Sequence, residues 1–108
     1  MVFFTLELWL KTTYSESDKM SWTVNIKKKV KRGLNKLPKN VQEALEVLVV
    51  DLADGGPVRG DWPNYSKLAN GTHHCHLNYS YVAVWFEEDK QLKIIEVTYV
   101  GSRENAPY

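Results

Sequence analysis

The spacing of apolar side chains changes along the chain, and each change marks a new element. Apolar and polar residues alternate over 22–26, which predicts a short strand. The alternation is then lost, and Val30, Leu34 and Leu37 recur at helical spacing. We therefore expect a strand followed by a short amphipathic helix, which Pro38 ends.

A longer apolar stripe predicts a second helix. Its members recur every three or four residues, at Val41, Leu45, Leu48, Val49 and Leu52. Asn40 is expected to cap the N-terminus, with Glu43 completing a capping box. Gly55, Gly56 and Pro57 are expected to end the helix. The two helices should form an αα-hairpin with one joint apolar surface.

From Tyr65 onward the apolar period falls to two, the repeat of a strand. We expect strands at 65–69, 73–78, 81–87 and 93–100. Asn70-Gly71 is a turn signal, and the polar residues 88–91 separate the last two strands. The predicted order β-α-α-β-β-β-β is an α+β fold, in which a helical hairpin packs on one face of a curled, mainly antiparallel sheet.

The length of 108 residues suits one domain. We assign residues 20–108 to that single domain. Residues 1–19 are an N-terminal extension of unknown role, with a strand-like alternation over 2–11 and a polar linker over 12–19. They can be an upstream extension, an added edge strand or a non-native addition.

Composition indicates a cytoplasmic protein. The single cysteine, Cys75, allows no intramolecular disulfide. The apolar start is short, contains Glu7 and lacks a basic leader, so we expect neither a secretory signal nor a membrane partner.

Basic residues are unevenly distributed. The net charge is only +1, which by itself does not indicate a nucleic-acid-binding protein. However, the segment 27–32 holds five basic residues and no acidic one: Lys27, Lys28, Lys29, Lys31 and Arg32. Such a cluster suits a polyanion, and it is equally consistent with a solvated helix face.

Candidate chemistry lies in the run from His73 to Asn78. Strand alternation places Cys75 and Leu77 on the core face, and His74, His76 and Asn78 on the other face. Histidine changes its charge near neutral pH, so a pair on one sheet face suits general acid–base catalysis. The alternatives are two solvated polar residues or a His-x-His zinc site, for which no third ligand is evident. We expect no metal and no cofactor.

In the last strand, Ile95, Val97 and Tyr99 are expected to share one face and to oppose Glu96 and Thr98. If this strand lies beside the histidine strand, its polar residues can line the same open surface.

The C-terminal segment adds an arginine and a tyrosine after the last strand. The planar guanidinium of Arg103 suits a phosphate. Tyr108 can stack on a base or donate a proton. The alternative is a surface ion pair and a frayed end.

Several segments, in this order, resemble the RelE/ParE superfamily of type II toxins over about residues 22–108. They are the phrase WPNYSKL at 62–68, the stretch 73–77 followed by YVAVW at 81–85, and VGSRE at 100–104 with the terminal tyrosine. The resemblance implies a RelE-like fold and a cytoplasmic mRNA interferase, a ribosome-dependent endoribonuclease acting without a metal. It also implies an antitoxin partner, with which the chain can form a hetero-oligomer.

The resemblance implies roles for individual residues. His74 and His76 occupy two basic positions on the first long sheet strand, Arg103 matches the closing arginine, and Tyr108 matches the tyrosine beyond it. Val82 stands where these enzymes often carry an arginine. The residues expected to bind RNA phosphates are Lys28, Lys29, Lys31, Arg32, Arg59 and Lys67, of which the last two can replace the missing arginine.

Two other functions remain open. One is a ParE-like toxin that binds and inhibits DNA gyrase, and the other is a non-catalytic interaction module of the same fold.

Overall fold

The computed structural model describes residues 21–108, so the strand and linker expected within residues 1–19 lie outside the described residues. The elements are β1 (Thr23–Ile26), α1 (Lys28–Gly33), α2 (Lys39–Gly55), β2 (Ser66–Lys67), β3 (Thr72–His76), β4 (Tyr81–Asp89) and β5 (Ile94–Ser102). Short 3-10 turns lie at Leu34–Lys36, Ala69–Gly71 and Arg103–Asn105. This order confirms the predicted α+β fold. Within residues 21–108, no helix is both long and apolar enough to cross a membrane.

The five strands form one sheet in the order β1-β5-β4-β3-β2. The pairs β2–β3, β3–β4 and β4–β5 are antiparallel, while β1 runs parallel to β5. The sheet is therefore mainly antiparallel, as predicted. The parallel pair joins the first strand and the last strand of the described chain.

The core lies between the helices and one face of the sheet. All five residues of the predicted α2 stripe are buried, with at most 3% of each exposed. On the sheet side, Cys75, Trp85 and Ile95 are fully buried and belong to the same cluster as the stripe's leucines. The indole Nε1 of Trp85 donates a hydrogen bond of 2.9 Å to the carbonyl of Pro57, so its buried polar group is satisfied.

The two ends of α2 differ in how well the sequence predicted them. The expectation that Asn40 caps the helix is wrong, because the helix begins at Lys39 and Pro38 holds the N-cap position without a side-chain cap. The carbonyl of Pro38 accepts the first helical hydrogen bonds, so Asn40 is already inside the first turn. The helix ends at Gly55, as predicted. Gly56 has φ of 92°, and a Cβ there would lie 2.9 Å from Nε1 of Trp22.

An irregularity in β5 changes which side chains face the core. Val84 pairs with Tyr99 and Trp85 pairs with Val97, so Thr98 is an extra residue without a cross-strand partner. The alternation is shifted by one residue at this point. Val97 therefore faces the helices while Tyr99 faces away, and the expectation that these two share a face is wrong.

His73 packs on the helix-facing side of the sheet and is 1% exposed. Its Nδ1 is 2.8 Å from the hydroxyl of Tyr65, and its ring stacks on Trp85 with 5.9 Å between centroids and 6° between planes. Burial lowers the pKa of His73 because the charged imidazolium loses its hydration. The folded protein therefore favours the neutral form.

We expect acidification to destabilise the wild type more than a His73→Gln variant. The pKa of His73 in the folded state lies below its unfolded value of about 6.5. Its stabilising contribution is complete above that value and is lost as the pH falls through the lower, folded pKa. Urea unfolding at about pH 7 and about pH 5 measures the loss. Glutamine can still pair with Tyr65 but does not titrate, so equal losses in the two proteins would contradict this prediction.

Candidate functional site

Two rows of side chains cross the sheet on the face opposite the helices. They follow from the pairing of β3 with β4 and of β4 with β5. The rows are His74–Val84–Tyr99 and His76–Val82–Gly101. The rings of His74 and His76 are 6.2 Å apart between centroids. The structure therefore brings the two histidines together on one face, while Cys75 lies on the other.

This face is less open than the sequence indicates. Val82 and Val84, at the centre of the two rows, are 0% and 3% exposed, although they lie on the side away from the helices. Their neighbours in the rows flank them on both sides, and the C-terminal segment reaches the same face at His74. The result is a site with an apolar floor and a polar margin.

The last residue of the chain packs against one of the histidines. The ring of Tyr108 meets the ring of His74 edge to face, with 4.3 Å between centroids and 83° between planes. His74 is only 9% exposed, whereas Tyr108 is 52% exposed. On the other side, the Oγ of Ser66 is 3.4 Å from Nδ1 of His74. His74 is thus held between β2 and the C-terminal segment.

The protonation of the two touching groups follows from this packing. Burial lowers the pKa of His74, and the neighbouring His76 lowers it further. Burial also raises the pKa of Tyr108, although the charge of Arg103 partly opposes this shift. At neutral pH, the site therefore holds a neutral imidazole that can accept a proton and a phenol that can donate one.

Arg103 lies at the rim of the site. Its side chain is exposed, and its guanidinium carbon is 5.4 Å from the centroid of the Tyr79 ring. Its backbone N–H donates a hydrogen bond of 2.8 Å to the carbonyl of Ser80, which ties the C-terminal segment to the β3–β4 turn. The charge of Arg103 acts on Tyr108, so the rim of the site is electropositive beside that phenol.

Of the residues expected to bind RNA phosphates, those on α1 face solvent. Lys28, Lys29 and Arg32 are exposed, and Lys31 is partly exposed. Val30 is the buried residue of this short helix, as the amphipathic pattern predicted. The four basic groups therefore form a solvated strip beside the sheet.

Arg59 and Lys67 do not lie on the face of the sheet that carries His74 and His76. The guanidinium of Arg59 packs on the C-terminal end of α2, where Nη1 donates to the carbonyl of Asp51 at 3.4 Å and Nε is 3.8 Å from the carboxylate of Asp61. Lys67 pairs with His73 in register, so it lies on the helix-facing side. Neither residue supplies a positive charge next to Val82.

Asn78 and Cys75 have structural roles. The Oδ1 of Asn78 accepts hydrogen bonds of 2.8 Å from the N–H groups of Ser80 and Tyr81, which closes the β3–β4 turn. Burial raises the pKa of the Cys75 thiol to about 12, and the side chain faces the helices. Within residues 21–108, no group of three or more His, Cys, Asp or Glu residues is placed to hold a metal ion.

Sequence reasoning missed two residues of the site, Tyr99 and Ser66. The hydroxyl of Tyr99 donates a hydrogen bond of 2.8 Å to the carbonyl of Ser102, and its ring lies over Gly101. A Cβ at Gly101 would lie 2.7 Å from that hydroxyl, so a side chain at this position would displace the ring of Tyr99. The only sequence signal was the Tyr-x-Gly spacing, and the bulge that turns Tyr99 to this face was not visible.

Removal of the Tyr108 ring should raise the pKa of His74 towards its usual value. The physical reason is that Tyr108 excludes water from the imidazole, and desolvation is the main cause of the lowered pKa. Titration of the His74 ring protons by NMR in Tyr108→Ala measures the shift. Tyr79→Ala, which removes a more exposed tyrosine, serves as the control. An unchanged His74 pKa in Tyr108→Ala would show that the phenol does not cover the imidazole in solution.

Comparisons with known proteins agree with this architecture at the level of structure. No protein-family model matches the chain, and a search of the curated proteins finds no match. Among solved structures, RelE in the RelE–RelB complex of Pyrococcus horikoshii OT3 has a TM-score of 0.64 at 19% identity, over 81% of this chain and 100% of that one. A mutant of the E. coli toxin RelE in its free state has a TM-score of 0.63 at 19% identity, over 81% and 88%. The chain therefore has the fold of the RelE toxins.

Proposed function

We propose that this protein is the toxin of a type II toxin–antitoxin system and cleaves messenger RNA as a ribosome-dependent endoribonuclease. The observation that carries the proposal is the convergence of His74, His76 and Tyr108 on one sheet face, with Arg103 at its rim. A neutral imidazole, a protonated phenol and a guanidinium are the groups that this reaction needs. The fold shared with RelE toxins supports the same class of substrate.

RNA carries its own nucleophile, so the protein has to move two protons. In the proposed reaction, Nε2 or Nδ1 of His74 accepts the proton of the 2′-OH, whose oxygen attacks the adjacent phosphorus. The bond from phosphorus to the 5′-oxygen breaks, and Tyr108 or His76 protonates that oxygen. The products are a 2′,3′-cyclic phosphate and a free 5′-OH. The lowered pKa of His74 keeps its imidazole neutral near pH 7, in the form that can accept this proton.

The phosphate gains negative charge as the bond to the 2′-oxygen forms. Arg103 is the positive group whose charge acts on Tyr108, and we propose that its exposed guanidinium contacts the bound phosphate. Because Val82 brings no charge and Arg59 is engaged at the end of α2, the proposed site depends strongly on this one arginine. The basic strip on α1 contacts further phosphates without reading sequence.

The proposed partners are the ribosome with its messenger RNA and a cognate antitoxin. The Pyrococcus relative was crystallised as a complex of RelE with RelB. We propose that an antitoxin likewise forms a hetero-oligomer with this chain in the cytoplasm, and that it covers the His74 face.

Inducible expression in bacteria with primer extension on a reporter messenger RNA tests the proposal. The wild type should arrest growth and create new 5′ ends. His74→Ala and His76→Ala should each slow cleavage by about 10²–10⁴-fold, because a general acid or base is lost. Arg103→Ala should slow it by roughly 10²–10³-fold, because the phosphate charge is no longer stabilised. Lys90→Ala removes one exposed positive charge from the β4–β5 turn and should retain the wild-type rate.

The same experiment separates the other two functions. If the wild type arrests growth without creating new RNA ends, and His76→Ala arrests growth equally, the result would favour a toxin that binds gyrase or another target. No arrest, with the wild type folded and expressed, would favour a non-catalytic module, for which the uncharged Val82 is the supporting observation.

A further inference from the structure

The sheet has an open groove where β5 extends beyond β1. β1 pairs only with residues 94–97 of β5. The N–H of Lys27 donates a hydrogen bond of 3.0 Å to the carbonyl of Val97, and the chain then turns into α1. From Thr98 onward, β5 has no strand on this side within the described residues 21–108. The groove has a volume of about 470 Å³ and is lined by Lys27, Lys29, Val30, Tyr99, Val100 and Pro107.

The lining combines two positive charges, one aromatic ring and apolar surface. Lys27 and Lys29 are exposed, no ion pair within residues 21–108 engages them, and α1 has no acidic residue in its first turn. Tyr99 contributes the aromatic ring, while Pro107 and the buried Val30 contribute apolar surface. A ligand with a flat ring and a phosphate suits this set, because bases stack on such rings while lysines neutralise phosphates.

The groove is continuous with the candidate site. Tyr99 lies in the same cross-strand row as His74, two strand spacings or roughly 10 Å away. Pro107 is the neighbour of Tyr108, whose ring touches His74. A strand of RNA with its reacting phosphate at His74 can therefore continue into the groove with one or two more nucleotides.

We propose that this groove binds the nucleotide next to the cleaved linkage, with a phosphate against Lys27 and Lys29 and a base stacked on Tyr99. The proposal rests on the proposed function for the choice of RNA as the strand. An acidic segment of a protein is the rival occupant. RNA is favoured because the groove is continuous with the acid–base site and offers the aromatic ring of Tyr99 for stacking as well as charge.

Binding of 2′-O-methyl oligonucleotides tests the groove without any cleavage, because the methyl group blocks the nucleophile. Fluorescence anisotropy compares a dinucleotide with a tetranucleotide on the purified protein. The wild type should bind the tetranucleotide more tightly. Lys27→Gln/Lys29→Gln should weaken it by about tenfold and lower the slope of log affinity against log salt by about 0.7, since one phosphate contact on a single strand is lost.

A matched pair of exposed lysines outside the groove provides the control. Lys36→Gln/Lys39→Gln removes the same charge and should leave the tetranucleotide affinity unchanged. An equal loss in this variant would overturn the proposal, because it would show general attraction in place of a site. Equal affinity of the wild type for the two oligonucleotides would also overturn it. Displacement of the tetranucleotide by a short oligoglutamate of equal charge, at equal concentration, would assign the groove to a protein partner instead.

The nuclease and the groove can fail separately. If the wild type does not cleave RNA but the groove lysines still govern tetranucleotide binding, the nuclease proposal fails and the groove stands. If the wild type cleaves RNA and the lysine variant binds as tightly as the wild type, the groove proposal fails alone.

Discussion

The extra residue Thr98 lets both halves of β5 bury apolar side chains against the helices. Ile95 and Val97 fill the core before it, and Val100 returns to the same side after it. Tyr99 is consequently turned to the opposite face, into the row that contains His74. A regular strand would have sent the tyrosine towards the helices and the valine away from them, at a cost in buried apolar surface. The demand for a complete core thus places Tyr99 beside the candidate chemistry.

His73 and His74 are adjacent in the chain but lie on opposite faces of the sheet, so they have different surroundings. Burial lowers the pKa of both His73 and His74. His73 stacks on Trp85 and Tyr65, so its imidazole serves packing. His74 is covered by Tyr108, which is itself half-exposed. A solute that approaches the imidazole from this side therefore contacts or displaces the ring of Tyr108.

The short segment after β5 connects the candidate site with the groove. It is fixed at one end by the hydrogen bond from Arg103 to Ser80, and its last two residues line the groove and cover the imidazole. The proposed acid, the proposed phosphate ligand and one wall of the groove therefore move together. A ligand that displaced this segment would remove all three at once.

Features that depend on local periodicity could be predicted from the order of the amino acids. These are the buried stripe and the glycine end of α2, the order of the elements, and the shared face of His74 and His76, because side-chain direction repeats every 3.6 or two residues.

Features that depend on contacts between distant segments could not be predicted in this way and are visible only in the folded chain. Four features each require two segments far apart in the chain to meet. They are the parallel pairing of β1 with β5, the bulge that redirects Tyr99, the position of Arg59 at the end of α2, and the contact of Tyr108 with His74. Local spacing carries no information about such meetings, since they are set by which surfaces the folded core brings together.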